Sequence, residues 1–476
     1  MSPKEIIESL DQELIKQLPK DIAWNYKLIP YQKNSNAIKL LISESKLNHN
    51  TKNEIEILLD QKVELITESD EIVVQLLNRF FKRSTDQKFD AKLVKDHPEF
   101  IKDLISEALL LKSSDIHIET REKEALVRMR IDGKLIERFK LNKADYPAII
   151  NKIKIQANLD ISEKRLPQDG RIKLNNEEIN LDLRVSIIPT IYGEKAVLRL
   201  LNKDASSLIL DDLGFSVNQL STYRKLIHSQ NGIILISGPT GSGKTTTLYA
   251  TLSELNNGQN NILTIEDPIE YTMEGVNQVQ LKEGIGLDFS RALKSFLRQD
   301  PDIIMVGEIR DQDTANMAIR AALTGHLVFS TIHTNSAWAT VSRLIDMNIP
   351  PFLISATLKM SIAQRLIRKL CSNCKSKISI EQTEIDESLK KKIENDFIYE
   401  KVGCYECYYT GYKGRVALHE VIPINDKLKE EIRKNNMDEA HIVKTNKINT
   451  LSDQAIALMN KGITSLEEIY PILLNH

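Results

Sequence analysis

The spacing of apolar residues changes along the chain and divides it into segments. Residues 1–82 contain short apolar runs, such as Ile38–Ile42 and Val63–Thr67, mixed with stretches of helical spacing. This mixture predicts a small N-terminal α/β domain. Residues 83–98 are charged, poor in apolar positions and closed by a proline, so they are predicted to be a linker.

Residues 99–205 begin with a helical pattern and continue with the alternation typical of strands. The helix is predicted at Glu99–Leu111, and Gly133 occupies the place where a hairpin turn needs a glycine. The strands are predicted at Asp115–Glu119, Ala125–Ile131, Lys134–Phe139, Glu178–Val185 and Ala196–Leu201. A helix followed by several strands predicts a second domain of the α+β class.

Residues 206–360 alternate between apolar strands and helices, which predicts βαβ units and a parallel sheet. Ile233–Ile236 and Ile303–Val306 are unbroken apolar runs, as strands buried in a parallel sheet are. The other elements are a helix from Lys244, a strand at Asn261–Ile265, helices at Arg291–Arg298 and Thr314–Ala322, and a strand at Leu327–Thr331. The fold class is therefore predicted to be α/β. After Phe352 the pattern is predicted to become helical, giving a C-terminal helical domain at 361–476.

Composition and charge narrow the partners this chain is expected to have. The net charge is −2, from 64 basic and 66 acidic residues, and only 5% of residues are aromatic. Such a chain has no bulk attraction for nucleic acid or for an anionic membrane. No stretch approaches the roughly 18 uninterrupted apolar residues of a membrane span, and the N-terminal MSPKEIIESLDQ lacks the apolar core of a signal peptide. We therefore expect a cytoplasmic protein that contacts a membrane only through partners.

A phosphate-binding loop is predicted where the strand at Ile233–Ser237 ends and a helix begins. The loop fits the pattern GxxxxGK[ST] and consists of Gly238, Pro239, Thr240, Gly241, Ser242, Gly243, Lys244 and Thr245. Its glycines let backbone N–H groups curl around phosphates, and the start of the helix adds a partial positive charge. Lys244 is expected to reach the β and γ phosphates of ATP, and the Thr245 hydroxyl is expected to hold Mg²⁺.

Acidic residues follow two of the predicted strands. Glu308 ends the apolar strand Ile303–Val306, where it can orient water or hold a metal-bound water; the alternative is a solvated strand end. Glu266, Asp267 and Glu270, which we call the acid cluster, end another strand. Carboxylates there suit a general base or a ligand for metal-bound water, although acids that only cap a loop would give the same spacing.

A histidine follows the last strand of this series. His333 comes just after the apolar run Leu327–Phe329 and its polar continuation, so that its ring can sense the γ-phosphate by hydrogen bonding. A lone histidine is more often structural, and the two interpretations stay open on the residues alone.

All four cysteines of the chain lie in two CxxC pairs, which points to a metal site. The pairs are Cys371/Cys374 and Cys404/Cys407. Disulfides are a poor interpretation in a reducing compartment, whereas two such pairs can present four thiolates to a structural Zn²⁺. The gap between the pairs exceeds the usual spacing of about 15–20 residues. The alternative is a pair of redox dithiols. We expect a zinc module at 371–407.

The order of these motifs resembles that of the ATPases that drive type II secretion and type IV pilus assembly. The P-loop is followed by the acid cluster, then by LRQDPDIIMVGEIRD at 297–311 and TGHLVFSTIHTN at 324–335. Further matches are SSDIHIE at 113–119, VRMRIDG at 127–133, RLPQDGR at 165–171, DLRVSIIPTIYGEKAVLRLL at 182–201, AQRLIRKLC at 363–371 and GCYECYYTGYKGRVALHEV at 403–421. The resemblance covers about 110–425 strongly, whereas residues 1–90 match only in general character.

The resemblance implies an architecture and roles for particular residues. It implies a homo-hexameric ring with a RecA-like core, a PAS-like domain at 99–205, and an N-terminal domain that binds inner-membrane platform proteins. Glu266 and Glu308 would lie by the nucleotide, and His326 and His333 would belong to a histidine motif. Arginines of the second domain would close over the phosphates, and the matching positions are Arg171, Arg184 and Arg199. The cysteine module is typical of the secretion and assembly branches and is generally absent from the retraction branch.

The function expected from the sequence is therefore mechanochemical. ATP hydrolysis would power type II protein secretion by driving pseudopilus assembly at the inner membrane. The alternatives are a type IV pilus extension motor, a RecA-like motor that translocates nucleic acid, and a nucleotide-binding regulator without turnover. The near-neutral charge and few aromatic residues disfavour the nucleic-acid motor, and the complete set Glu266, Glu308 and His333 disfavours the regulator.

Overall fold

The computed structural model describes most of the chain from residue 100 onward and parts of the N-terminal region. The described ranges are 26–33, 37–47, 51–59, 61–69, 100–175, 180–201, 208–382, 387–390 and 395–474, with a few shorter pieces. The linker predicted at 83–98 lies outside the described residues. Helices and strands are numbered below along the described part of the chain.

The N-terminal region contains a three-stranded sheet and a helix. Its elements are β1 (Leu28–Lys33), β2 (Ile38–Ser43), α1 (Thr51–Leu59) and β3 (Val63–Glu68). β1 and β2 run antiparallel, whereas β2 and β3 run parallel and are joined by α1, because parallel strands need a crossover connection. The predicted small α/β fold is confirmed.

The second domain is a six-stranded antiparallel sheet with two helices. Its elements are α2 (Phe100–Leu110), β4 (Asp115–Thr120), β5 (Ala125–Ile131), β6 (Lys134–Leu141), α3 (Tyr146–Gln156), β7 (Gln168–Asn175), β8 (Asn180–Thr190) and β9 (Gly193–Leu201). The strand order is β6-β5-β4-β9-β8-β7. The predicted helix and strands are present, but α3 and β7 were not predicted.

One face of this sheet carries charged residues. Alternation along β4 places Asp115, His117 and Glu119 together on one side, although all three are buried. Basic side chains cover the acids: Arg199 Nε lies 2.9 Å from Asp115, and Lys195 Nζ lies 2.8 Å from Glu119. The face is therefore a network of ion pairs from neighbouring strands.

The third domain is built around a seven-stranded sheet in the order β12-β11-β13-β14-β10-β15-β18. Its strands are β10 (Gly232–Ser237), β11 (Ile262–Glu266), β12 (Asn277–Gln280), β13 (Ile303–Val306), β14 (Leu327–Ile332), β15 (Leu358–Leu370) and β18 (Tyr412–Pro423). All neighbouring pairs are parallel except β15 and β18. The helices are α4 (Val217–Ile227), α5 (Lys244–Leu255), α6 (Phe289–Phe296), α7 (Gln312–Leu323), α8 (Ala339–Asp346) and α9 (Pro351–Thr357).

Both faces of the central sheet are covered, as the unbroken apolar runs predict. Along β10, Ile233 and Leu235 pack in a cluster with Trp338, whereas Ile234 and Ile236 pack in a second cluster. The period of two in a strand sends alternate residues to opposite faces, so each needs its own apolar layer. This α/β arrangement confirms the predicted fold class.

The helical pattern predicted after Phe352 is wrong for most of its first part. Pro351–Thr357 is a helix, but Leu358–Leu370 is strand β15, which pairs with β10 on one side and β18 on the other. The segment LKMSIAQRLIRKL mixes apolar and polar residues without a clear period, so its local pattern does not separate a strand from a helix, and pairing with distant strands decides it. The central sheet therefore continues past the domain boundary predicted at residue 360.

The remaining elements lie between and after the last two long strands. Two short strands, β16 (Ser376–Ser379) and β17 (Phe397–Glu400), pair antiparallel, with the short helix α10 (Glu387–Lys390) between them. The chain then ends in four helices: α11 (Asp426–Arg433), α12 (Glu439–Asn446), α13 (Leu451–Asn460) and α14 (Leu466–Leu473). Within the described residues, none of the helices has the length and hydropathy that crossing a bilayer requires.

Candidate functional site

The P-loop connects β10 to α5 and lines a cavity of about 560 Å³. Gly243 precedes the helix with φ +89°, a left-handed conformation that favours glycine. The Lys244 ammonium donates to the backbone carbonyls of Gly238, at 2.8 Å, and Pro239, at 3.1 Å. Thr245 also lines the cavity. The loop thus has the curled geometry and the cation that phosphate binding needs.

Glu308 lies at the end of β13, on the wall of the same cavity. It forms an ion pair with Arg310, and the Nε2 atom of His333 lies 3.4 Å from its carboxylate. Burial alone would raise the pKa of Glu308, but the hydrogen bond and charge of Arg310, together with His333, outweigh burial and hold that pKa below its usual range. Glu308 is therefore an anion opposite the P-loop, with Arg310 as an ion-pair partner.

The helix after Glu308 is fixed by its first residues. Asp311 caps α7, because its carboxylate accepts a hydrogen bond of 2.8 Å from the backbone N–H of Thr314. The Thr331 hydroxyl donates to the carbonyl of Gly307 at 2.7 Å. These two contacts hold the chain on either side of Glu308.

The acid cluster divides into a buried acid and a more accessible one. Glu266 is 3% exposed, and both of its oxygens accept hydrogen bonds: one from Thr264 and Gln278, at 2.6 and 3.2 Å, the other from the Tyr249 hydroxyl. Burial raises the pKa of Glu266, and these hydrogen bonds offset only part of the rise. Both glutamates line the cavity, but the Glu270 side chain is 32% exposed and is therefore the more accessible of the two.

The two histidines of the predicted motif lie at opposite ends of β14. His333 follows the strand, lines the cavity and is about half exposed. His326 precedes the strand, where its Nδ1 lies 2.9 Å from the carbonyl of Ala321. Sites in parallel sheets lie at the carboxyl ends of the strands. His326 lies at the opposite end of β14, so it supports the helix-to-strand turn and not the cavity.

The three predicted arginines share the charged face of the second domain. Arg171, Arg184 and Arg199 line a second cavity, of about 580 Å³, together with Pro268. The Arg184 guanidinium donates to the carbonyl of Ile269 at 2.7 Å and lies 3.8 Å from the Glu270 carboxylate. The structure thus brings these arginines to the acid cluster, but not onto the P-loop.

Arg415 is a basic residue of the P-loop cavity to which the sequence analysis assigned no role. Arg415, on β18, lines the cavity, and its Nε atom lies 3.6 Å from a carboxylate oxygen of Asp132. The neighbouring Gly414 N–H donates to the other oxygen of Asp132 at 2.8 Å. The only signal in the sequence was its position in the motif GYKGRVALHEV, because pairing of β18 with β15 is what brings it here.

The four cysteines lie together, as their spacing predicts. Their sulfur atoms all lie within 4.8 Å of one another, and three of the pairs are 3.7 Å apart: 371 with 404, 374 with 407, and 404 with 407. A tetrahedral zinc ion with Zn–S bonds of about 2.3 Å requires sulfur separations of about 3.8 Å. Backbone N–H groups of Gly403 and Gly411 donate to the sulfurs of Cys374 and Cys407, each at 3.3 Å. The residues present therefore fit a closed Zn²⁺ site.

A doubly covered, mostly parallel sheet with a P-loop at the end of a central strand defines a RecA-like ATPase. The family model for type II/IV secretion system proteins matches residues 91–471. The type IV pilus assembly ATPase PilB of Myxococcus xanthus is 40% identical over 492 residues, which cover 97% of this chain and 86% of the relative. The type II secretion system ATPase E of Vibrio cholerae is 44% identical over 383 residues, covering 80% and 75%.

The solved structures add support for the fold. The X-ray structure of the Legionella pneumophila ATPase DotB aligns with a TM-score of 0.62 at 21% identity, covering 82% of this chain and 100% of that chain. A likeness at this identity supports the fold alone. Together with the family model, the two relatives show that this chain belongs to the type II/IV secretion system protein family and is an ATPase. The predicted resemblance is confirmed.

Proposed function

We propose that this chain hydrolyses Mg-ATP in the P-loop cavity and powers type II secretion as a homo-hexamer. The observation that carries the proposal is the placement of Lys244 and the anionic Glu308 on one cavity beside the acid cluster. Positioning and electrostatic stabilisation account for almost all of the catalysis of phosphoryl transfer, and this cavity supplies groups for both.

Each group on the cavity has a role in ATP hydrolysis in this proposal. The P-loop N–H groups and Lys244 bind the phosphates, and Thr245 would hold Mg²⁺, which supplies neutralisation of phosphate charge when bound. Glu308 orients the attacking water, and His333, in contact with Glu308, reports on the γ-phosphate. Arg171, Arg184 and Arg199 stabilise phosphate charge when the second domain closes on the third.

Of the two glutamates in the acid cluster, we propose that Glu270 faces the reactants. Both oxygens of Glu266 are occupied by hydrogen bonds from neighbouring side chains, which supports a role for Glu266 in holding the turn. Glu270 is more accessible and lies within reach of Arg184. A general base needs a free lone pair directed at water, which favours Glu270.

Two matched substitutions test this assignment. Glu270→Gln is expected to lower kcat by about 10²–10⁴, the usual contribution of a general base, with the melting temperature unchanged. Glu266→Gln is expected to stay within about tenfold of wild type, because an amide can donate to the Tyr249 hydroxyl and still accept from Thr264. Steady-state phosphate release measures both. The opposite ranking would return the catalytic role to Glu266.

The ATPase assignment itself is tested at Glu308. Glu308→Gln keeps the shape of the side chain and removes its charge, so we expect ADP binding to be retained while phosphate release by the assembled oligomer is lost. Wild-type turnover in this variant would overturn the proposed role, and no phosphate release by the wild-type oligomer would overturn the proposed function.

The cellular role rests on the relatives, among which secretion and pilus ATPases are both represented. We propose a cytoplasmic protein held at the inner membrane through platform proteins that bind its N-terminal domain, with Zn²⁺ at the four cysteines as a structural element. The pilus extension motor remains the second candidate. Capture of membrane platform proteins by the wild-type chain, followed by identification of the secretion or pilus components among them, separates the two.

A further inference from the structure

The side chain of Gln364 lies between the P-loop and the helix that follows it. Gln364 is on β15 and is 2% exposed. Its amide nitrogen donates to the backbone carbonyl of Ser242 at 2.9 Å, and its amide oxygen accepts from the Thr247 hydroxyl at 2.9 Å. The amide thus joins the last part of the loop to the second turn of α5, with both of its ends hydrogen-bonded.

The loop is closely fitted around this residue. A Cβ atom at Gly243 would lie 2.9 Å from the Gln364 amide nitrogen, and one at Gly238 would lie 2.4 Å from the Gln364 backbone oxygen. Both distances are shorter than side chains tolerate. The glycines at the two ends of the P-loop are therefore needed not only for their backbone angles but also to admit β15.

The hydrogen bond to Ser242 sets the direction of one peptide group. In a trans peptide the carbonyl and the following N–H point in opposite directions. Ser242 and Gly243 line the cavity, whereas Gln364 does not. A Ser242 carbonyl held by Gln364 therefore points away from the cavity, and the Gly243 N–H points into it. If the peptide turned over, a carbonyl oxygen would face the phosphate in place of an N–H donor.

We propose that Gln364 is a positioning residue for the phosphate cradle. Its side chain does not line the cavity, and it fixes the Ser242–Gly243 peptide so that the loop presents donors to a phosphate before the nucleotide arrives. This role rests on the proposed use of the P-loop as the ATP site. Thr247 is its partner, because the Thr247 hydroxyl holds the amide oxygen and thereby turns the amide nitrogen toward Ser242.

Gln364→Glu makes this role switchable by pH. An ionised glutamate would place an oxygen against the Ser242 carbonyl, whereas a protonated glutamate would offer an O–H donor in the same place. Burial raises the pKa of a carboxyl group, which brings the change into an accessible pH range. Binding of a fluorescent ADP analogue is measured for the variant and for wild type at each pH between 6 and 8.5.

The expected result is a pH-dependent ratio of affinities. At pH 8.5 we expect the variant to bind the ADP analogue at least about tenfold more weakly than wild type, the usual effect of an unmatched buried acceptor. At pH 6 we expect the ratio to approach one. An equal affinity at pH 8.5, or a weakening that does not change with pH, would overturn the role of Gln364.

Gln454 provides a matched control. Its amide also bonds on both sides, donating to the His419 carbonyl and accepting from the His419 N–H at 3.3 Å, but it lies outside the P-loop cavity. Gln454→Glu is expected to lower the melting temperature without changing the affinity for the ADP analogue. Wild-type protein that binds no ADP would instead count against the proposed ATP site.

A second pair of variants tests the same role if Gln364→Glu does not fold. Thr247→Val removes the hydroxyl that orients the amide, and Thr247→Ser retains it. We expect weaker binding of the ADP analogue for the valine variant and near wild-type binding for the serine variant. Equal binding by the two variants would contradict the proposed orientation.

Discussion

The buried histidine on β18 makes stability depend on pH in a direction that can be measured. His419 is completely buried and stacks on Phe215, with ring centroids 3.7 Å apart and ring planes within 17°. Among the described residues, neither ring nitrogen has a hydrogen-bond partner. Burial lowers the pKa of His419 to about 3, because no neighbouring group compensates the charged imidazolium.

The sign and size of the effect follow from linkage. The unfolded chain binds a proton at this histidine near its ordinary pKa of about 6.5, whereas the folded protein does so only near pH 3. Between these values the unfolded state binds more protons, so stability falls as the pH falls below about 6.5. Because pH 5 lies about 1.5 pH units below the pKa of the unfolded chain, the free energy of unfolding at pH 5 is expected to be about 2 kcal/mol lower than near neutral pH.

His419→Phe keeps the ring stack and removes the titration. Melting temperatures of both proteins are compared from pH 7.5 to pH 5. Relative to the variant, wild type is expected to lose about 4–8 °C over this range, the equivalent of about 2 kcal/mol for a domain of 150–250 residues. Replacement of the exposed His441 by glutamine serves as a control and is expected to leave the wild-type pH dependence in place. Parallel curves for wild type and His419→Phe would refute the reasoning.

Three further predictions concern other buried groups. Glu420 accepts from the Ala337 N–H at 2.8 Å, and burial raises the pKa of Glu420. Above pH 4.5 the folded state therefore binds more protons than the unfolded state, so stability falls as the pH rises. Glu420→Gln is expected to weaken the dependence of the melting temperature on pH. An unchanged dependence would contradict this. Cys404→Ser, or chelation of zinc, is expected to remove hydrogen-exchange protection from residues 371–407 while ADP binding persists. Unchanged thermal stability after complete removal of zinc would contradict a structural zinc site. Lys154 is fully buried, and its Nζ atom lies 2.6 Å from the Glu194 carboxylate. Lys154→Met is therefore expected to lower the free energy of unfolding in denaturant by about 3–5 kcal/mol. A loss below about 1 kcal/mol would show that the ion pair contributes little to stability.

Local sequence patterns predicted those elements whose residues are compatible with only one kind of structure. Ile303–Val306 is apolar throughout and lies between Asp302 and Gly307, so it was recognisable as a buried strand. The P-loop was recognisable because its residue types are fixed by phosphate binding. By contrast, β7 at Gln168–Asn175 is an edge strand that begins near a proline and contains Gly170, and such a sequence also fits a loop.

Tertiary contacts decided what local patterns left open. Glu266 is shielded in part by Tyr249, whose hydroxyl donates to the Glu266 carboxylate. Tyr249 belongs to α5, so this contact exists only in the folded domain and cannot be read from local sequence. In the same way, Gln364 could be assigned to the P-loop only once its segment was known to be a strand beside β10. Spacing placed the acid cluster at the correct edge of the sheet but could not rank its members.

The pairing of the last two long strands bears on how the cysteine module came to be part of this chain. Leu370 and Tyr412 are partners in the antiparallel ladder of β15 and β18. The whole stretch 371–411 therefore leaves and rejoins the sheet at neighbouring points. Evolution could shorten this stretch to a simple hairpin turn, or lengthen it, without breaking the main-chain bonds of the ladder. A change in the length of this module would accordingly alter one loop and leave the pairing of β15 with β18 intact.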